Sequence, residues 1–136
     1  MKRKREPCVT VVEADILIRH PLAEYLRECG YRVLQASNTD EAQKLFTQRR
    51  RRIAIDVILI DVAAPGSINA FSLARWIREN HPAVDVILSG SVEAVTEKAG
   101  ELCEHGPPLS KPYDHQLVAD RIRRLLAARD RADGAP

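Results

Sequence analysis

Acidic, hydroxyl and basic side chains stand directly after the short apolar runs of this 136-residue chain. Glu13 and Asp15 follow the first run, Asp61 the third, Ser89 the fourth and Lys111 the fifth. Carboxylates suit a hard divalent ion such as Mg²⁺, whose shell is completed by water and phosphate oxygens. An aspartate can also act as a nucleophile and become an aspartyl phosphate. A lysine and a hydroxyl would then bind the phosphoryl oxygens, so the set predicts phosphoryl transfer.

The elements that must position these side chains are predicted by periodicity. Short apolar runs typical of strands alternate with stretches whose apolar residues recur at helical spacing. The predicted strands are Val9–Val12, Tyr31–Leu34, Ile53–Ile60, Val84–Leu88 and a short one around Leu109. The predicted helical stripes are Ile18–Cys29, Ala42–Phe46, Ala70–Ile77, Val92–Leu102 and Leu117–Leu125. Five β-α units predict an α/β fold, a doubly wound five-stranded parallel sheet with five helices.

Local signals support these boundaries. Gly30 is typical of a helix end, Asn38 with Glu41 forms a capping box, and Pro65 with Gly66 marks a turn. In a doubly wound sheet, ligands bind at the carboxyl ends of the strands. The polar residues that follow the predicted strands are therefore expected to meet at one edge.

Composition indicates one soluble globular domain, because 45% of the residues are hydrophobic and 29% are charged. No apolar run approaches the roughly 20 residues of a membrane span, and no signal peptide is evident, which predicts a cytoplasmic protein. Cys8, Cys29 and Cys103 lack metal-ligand spacing and are predicted to be reduced thiols. The four histidines likewise lack zinc-site spacing, and no glycine-rich nucleotide-binding loop is present.

The net charge of +2 is unevenly distributed. Lys2–Arg5 and Arg49–Arg52 hold eight of the 21 basic residues, and the rest of the chain carries 13 basic and 19 acidic residues. Such runs could contact nucleic acid or an acidic membrane surface. We favour a solvated tail and a charged helix end, because no aromatic residues are interleaved. No specific nucleic-acid or membrane partner is therefore predicted.

Four segments carry a family resemblance: VTVVEADILIR, DVILIDVAAPGS, VILSGS and LSKPYD. Over residues 7–127 the chain resembles the receiver domain of two-component response regulators, with a basic tail at 1–6 and a polar tail at 128–136. The resemblance implies the flavodoxin-like strand order 2-1-3-4-5. It also implies that Asp61 is the phosphoacceptor, Lys111 the paired lysine and Ser89 the switch hydroxyl.

The same resemblance implies a cofactor and partners. Mg²⁺ would be held by Glu13, Asp61 and the main-chain carbonyl of Ala63. A sensor histidine kinase or phosphotransfer protein would supply the phosphoryl group, and the modified domain would bind a downstream protein. The segment LARWIRENHP and the lack of an output domain after the last helix suggest a stand-alone receiver, not an enzyme, with a homodimer as a further option.

One departure from the family concerns the acidic pocket. Ala14 stands where a second adjacent acid is usual. Even the loss of an outer-shell partner typically costs about 10–100-fold in metal affinity, so Mg²⁺ binding is expected to be weak. Asp15 offers two alternatives. It either reaches inward as a further metal ligand, or caps the following helix and faces solvent.

A second departure is Pro108, which stands where the family carries a Tyr or Phe that moves on activation. Proline has no ring to swing and no backbone N–H. Tyr113 is either a substitute for that ring at the surface or a partly buried anchor. Trp76 is interpreted as a packing residue.

Two further functions compete with phosphoryl acceptance. Ala14 and Pro108 motivate a degenerate pseudo-receiver that acts as a phosphorylation-independent interaction module. A small α/β enzyme is disfavoured, because the chain offers neither a general base nor a phosphate loop.

Overall fold

The computed structural model of the protein describes residues 5–48, 54–90, 109–110 and 113–133. Five strands lie within these residues: β1 (Cys8–Val12), β2 (Arg32–Ala36), β3 (Val57–Asp61), β4 (Asp85–Gly90) and β5 (Leu109–Ser110). The four helices within these ranges are α1 (Ile16–Glu28), α2 (Thr39–Thr47), α3 (Ala70–Asn80) and α4 (His115–Asp133). The helix predicted at Val92–Leu102 lies outside the described residues.

All strand pairs are parallel, and the sheet has the order β2-β1-β3-β4-β5. The predicted fold class and strand order are therefore confirmed. The second and fourth strands extend further toward their carboxyl ends than the sequence suggested. The reason is pairing across the sheet, since Ala36 pairs with Val12 and Gly90 pairs with Ser110.

Two apolar layers cover the sheet and explain its nearly all-apolar strands. On one face, side chains of α2 and α3 pack against alternate strand residues. The buried members of this layer include Val12, Ala42, Ile58, Ile60, Leu73, Ile77 and Leu88. On the other face α1 and α4 pack against the intervening strand residues, including Val9, Val11, Leu22, Leu26, Leu59, Ile87 and Ile122.

The aromatic residues at one end of the first layer support the packing interpretation of Trp76. The ring of Trp76 is half-buried and meets Phe46 edge-on, with ring centroids 5.8 Å apart. His81 lies against the same two rings. None of the described helices is long and apolar enough to cross a membrane.

The loop that follows β3 rests on the start of α2. The Thr39 hydroxyl donates to the carbonyl of Ile68 at 2.7 Å, and its backbone N–H donates to Pro65 at 2.9 Å. A Cβ on Gly66, whose φ is +147°, would lie 1.9 Å from Thr39 Oγ1. The close approach therefore requires glycine at this turn, and it ties the loop after Asp61 to the neighbouring helix.

A buried carboxylate holds the amino edge of the sheet together. Asp56 is 6% exposed, and both of its oxygens accept from the Arg5 guanidinium at 2.8 Å. It also accepts from the backbone N–H of Cys8 at 2.8 Å and from Arg129 Nη1 at 3.1 Å. Arg129 further pairs with Asp85. These contacts join both ends of the described chain to the sheet.

The same contacts involve the last described turns of α4. The sequence suggested a polar tail from residue 128, whereas α4 continues to Asp133. Arg129 lies in this continuation and is only 24% exposed, because its guanidinium reaches the buried Asp56.

Two of the three cysteines lie in the described part of the chain, and both are free thiols. Cys29 is exposed at the end of α1. Burial raises the pKa of the Cys8 thiol to about 11, and the nearby Asp56 carboxylate acts in the same direction. The predicted reduced state of Cys8 and Cys29 fits this arrangement, and Cys103 lies outside the described residues.

Removal of the Asp56 carboxylate should destabilise the fold. In Asp56→Ala the buried Cys8 N–H loses its acceptor and the Arg129 guanidinium loses one of its carboxylate partners. We therefore expect the free energy of unfolding to fall by about 3 kcal/mol. The matched control is Glu24→Ala, which breaks an exposed pair with Arg27 and should cost less than about 0.5 kcal/mol. Urea denaturation measures both. Equal losses in the two variants would show that Asp56 is not a structural anchor.

Candidate functional site

Two carboxylates are buried at the carboxyl edge of the sheet. Val12 of β1 pairs with Ile60 of β3, so the residues that follow this pair, Glu13 and Asp61, lie at the same edge of the sheet. Glu13 is 2% exposed and Asp61 is 4% exposed. Burial of two like charges at neighbouring strand ends is unfavourable unless hydrogen bonds or a cation compensate. The chemistry of this donor pair therefore suits a divalent cation.

Backbone N–H groups orient both carboxylates. Asp61 Oδ1 accepts from the N–H of Ala63 at 3.1 Å, and Glu13 Oε2 accepts from the N–H of Asp15 at 3.3 Å. The chain turns directly after β3, where the N–H of Ala64 donates to the Asp61 carbonyl at 2.9 Å. This turn places the main chain of Ala63 beside the Asp61 carboxylate.

Ser89 lies on the other side of Asp61. The two residues are Cα partners in the pairing of β3 with β4, and Ser89 is completely buried. Its hydroxyl lies 3.4 Å from the carbonyl oxygen of Ile60 and 2.5 Å from the hydroxyl of Tyr113. The strand register therefore places a hydroxyl next to the predicted phosphoacceptor.

Asp15 is placed at the start of α1 and is exposed. Its carboxylate accepts from the backbone N–H of Leu17 at 2.9 Å, which is the geometry of an N-cap. Of the two alternatives for this residue, the geometry favours the cap. Within the described residues, no group of three acidic, histidine or cysteine side chains could hold a metal ion. Glu13 and Asp61 are thus the carboxylates that the described part of the site offers.

Arg19 borders this pocket and was not singled out from the sequence. Its Nη1 donates to the carbonyl of Glu13 at 2.7 Å, and its Nε donates to Gln35 Oε1 at 3.2 Å. Helical side chains lean toward the N-terminus, so a residue one turn after the Asp15 cap can reach back over the preceding loop. The one-turn spacing of Asp15 and Arg19 is the sequence signal that could have identified this contact. The guanidinium fixes the backbone beside Ala14 and adds a positive charge at the edge of the pocket.

Tyr113 combines features of the two alternatives that the sequence left open. Its ring is half-buried and packs against the apolar layer of α1 and α4, as an anchor would. Its hydroxyl also contacts Ser89, which the sequence did not reveal because the two residues are 24 positions apart. Lys111 and Pro108 lie outside the described residues, so their predicted roles stay predictions.

Comparison with known proteins agrees with the fold. The family model for the response regulator receiver domain matches residues 9–123. A curated relative is the transcriptional regulatory protein AruR of Pseudomonas aeruginosa, which is 26% identical over 121 residues. That match covers 88% of this chain and 49% of AruR. The chain spans about half the length of the curated relatives that it matches.

Solved structures show the same fold. A response regulator receiver domain protein from Clostridium thermocellum superposes with a TM-score of 0.77 at 23% identity, covering 91% of this chain and 97% of that one. The beryllofluoride-activated NtrC4 receiver domain dimer superposes with a TM-score of 0.73 at 25% identity, covering 89% of this chain and 97% of that one.

Loss of the Asp15 side chain should affect stability and leave metal affinity unchanged. Asp15→Ala removes the cap of α1, and we expect the free energy of unfolding to fall by about 1 kcal/mol. The dissociation constant for Mg²⁺, followed by amide chemical shifts, should stay within about twofold, whereas Glu13→Gln should raise it at least about tenfold. An equal rise in both variants would identify Asp15 as a metal ligand instead.

Proposed function

Because the chain belongs to the response regulator receiver domain family, we propose that Asp61 is its phosphoacceptor. The observation that carries the proposal is the position of this carboxylate. Asp61 is the last residue of the central strand β3, lies level with Ser89 on β4, and is buried at the same edge as Glu13. Receiver domains are generally signalling modules that interact with histidine kinases or phosphotransfer proteins.

The proposed step is a phosphoryl transfer from a phosphohistidine. One carboxylate oxygen of Asp61 attacks the phosphorus atom, and the new O–P bond forms as the P–N bond breaks. The imidazole leaves with the electron pair of the P–N bond and is neutral because its other ring nitrogen carries a proton. The backbone N–H of Ala63 donates a hydrogen bond to Asp61 Oδ1 and so holds the carboxylate in place for the attack. Ser89 donates its hydroxyl hydrogen to a phosphoryl oxygen, and Lys111 is proposed to neutralise part of the phosphoryl charge.

Receiver domains generally bind Mg²⁺ at the phosphorylation site. Here the carboxylates of Glu13 and Asp61, with the main-chain carbonyl of Ala63, would hold the ion. When bound, Mg²⁺ would neutralise negative charge on the transferring phosphoryl group. Two features support weak affinity: Ala14 contributes no carboxylate, and the Arg19 guanidinium adds positive charge beside the pocket.

The proposed partners are a sensor histidine kinase or phosphotransfer protein and a downstream protein target. Exposed apolar residues support protein docking beside the site. Ile16 and Leu17 are 59% and 81% exposed at the start of α1, and Leu117 is 55% exposed in the first turn of α4. Tyr25 and His115 join these two helices, with ring centroids 5.3 Å apart. Exposed apolar side chains of this kind can form part of a protein interaction surface.

Two finer features of the sequence interpretation stay predictions. A homodimer is proposed because the solved NtrC4 receiver domain is a dimer in its beryllofluoride-activated form. The stand-alone type stays a prediction, since the curated relatives are about twice as long as their match to this chain. The second candidate function is a pseudo-receiver that binds partners without phosphorylation, and Ala14 is the observation that favours it.

Phosphorylation should depend on Asp61. Incubation with acetyl phosphate and Mg²⁺ should add the mass of one phosphoryl group to the wild-type chain and none to Asp61→Asn. Asp15→Asn is the matched control, because it alters an exposed carboxylate close to the site, and it should be modified like the wild type. Intact-mass spectrometry measures all three. No Asp61-dependent gain, from acetyl phosphate or from a partner kinase, would contradict the proposal and favour the pseudo-receiver.

A carboxylate at position 14 should strengthen Mg²⁺ binding. Ala14→Asp adds a third acidic group at the pocket edge, and we expect the dissociation constant to fall at least about tenfold. Ala14→Asn, which has nearly the same shape and no charge, should gain much less. A Mg²⁺ titration followed by amide chemical shifts compares them. Unchanged affinity in Ala14→Asp would show that position 14 does not face the metal site.

A further inference from the structure

We propose that Tyr113 is a positioning residue that acts through Ser89 on a phosphoryl group held by Asp61. This inference rests on the proposed function and assigns a role that the sequence left undecided. The Tyr113 hydroxyl lies 2.5 Å from Ser89 Oγ, and Ser89 is completely buried. The Ser89 hydroxyl is therefore surrounded by protein groups, and removal of the Tyr113 hydroxyl would take away one of its hydrogen-bond partners.

The direction of this hydrogen bond follows from the two hydroxyl groups. A phenol gives up its hydrogen more readily than an aliphatic alcohol, and its oxygen accepts less well because its lone pairs delocalise into the ring. Tyr113 accordingly donates and Ser89 Oγ accepts. The hydrogen of Ser89 is then directed to the Ile60 carbonyl, at 3.4 Å. That distance is long for an O–H···O hydrogen bond, so a charged acceptor would readily replace this carbonyl.

A phosphoryl group on Asp61 would be such an acceptor. Ser89 and Asp61 are Cα partners in adjacent strands, so the hydroxyl can turn from Ile60 toward the phosphoryl oxygens while it still accepts from Tyr113. The result is a chain in which Tyr113 donates to Ser89 and Ser89 donates to the phosphoryl oxygen. Successive hydrogen bonds polarise one another, so Tyr113 makes Ser89 a stronger donor.

The position of Tyr113 in the fold lets it hold this geometry. Its half-buried ring packs against the apolar layer of α1 and α4, two residues before His115 begins α4. The neighbouring ring contact between His115 and Tyr25 fixes the start of that helix against α1. The phenol is thus held by packing, and its hydroxyl supplies a function that Pro108 cannot, since proline carries no hydroxyl.

The test measures the affinity of the full chain for beryllofluoride at saturating Mg²⁺, by ¹⁹F NMR titration. Tyr113→Phe keeps the ring and removes the hydroxyl, and it should weaken binding about fivefold, the effect of one net hydrogen bond. The same change should weaken binding about fivefold in a Ser89→Thr background, which retains a hydroxyl. In a Ser89→Ala background it should have no effect. Tyr31→Phe, which removes a phenol hydroxyl elsewhere, is the matched control and should bind like the wild type.

Each other outcome overturns a specific claim. If Tyr113→Phe binds beryllofluoride as tightly as the wild type, the role of Tyr113 is rejected and the proposal that Asp61 is the phosphoacceptor still stands. A fivefold loss that persists in the Ser89→Ala background would show that Tyr113 acts by packing and not through Ser89. Absence of beryllofluoride binding in the wild type and in Ala14→Asp alike would reject both the proposed function and this inference.

Discussion

The parallel register of β1, β3 and β4 is the constraint on which the site depends. It brings Glu13, Asp61 and Ser89 to one edge of a sheet whose faces are both covered by helices. Because that edge is also buried, each polar group there needs a partner, and backbone N–H groups beside the two carboxylates supply part of that need. Carboxylates gathered in this way are the kind of group that suits a divalent cation, which is the basis of the proposed site.

The amino edge of the sheet also contains a buried carboxylate, and there it has a structural role. Asp56 is also a buried carboxylate, but two guanidinium groups and a backbone N–H enclose it, and its charge is satisfied within the chain. One edge is therefore closed and structural, whereas the other is built from groups that suit an external ligand. Asp56 is held by the guanidinium groups of Arg5 and Arg129, whereas Asp61 and Glu13 each accept a hydrogen bond from a backbone N–H two residues further along the chain.

The sequence predicted the fold well, because continuous apolar strands and amphipathic helices follow from burial on both faces. It also placed Asp61 and Ser89 correctly at strand ends, since strand position follows from local pattern. It did not reveal the Tyr113–Ser89 or Arg129–Asp56 contacts, whose partners are 24 and 73 positions apart. Long side chains choose partners by tertiary packing, which periodicity does not encode. Asp15 illustrates the same limit of sequence analysis, because an aspartate can serve either as a helix cap or as a metal ligand.

The ion pairs of Arg5 and Arg129 with Asp56 have a practical consequence for labelling. Both guanidinium groups bind at the amino edge, so the described chain enters and leaves the domain on the side away from Asp61. A fluorescent protein or affinity tag joined near either end would therefore stand clear of the carboxyl edge and of the exposed apolar residues beside it. Two reporters attached beside Arg5 and Arg129 would lie at the same edge of the sheet, a placement suited to energy-transfer sensors.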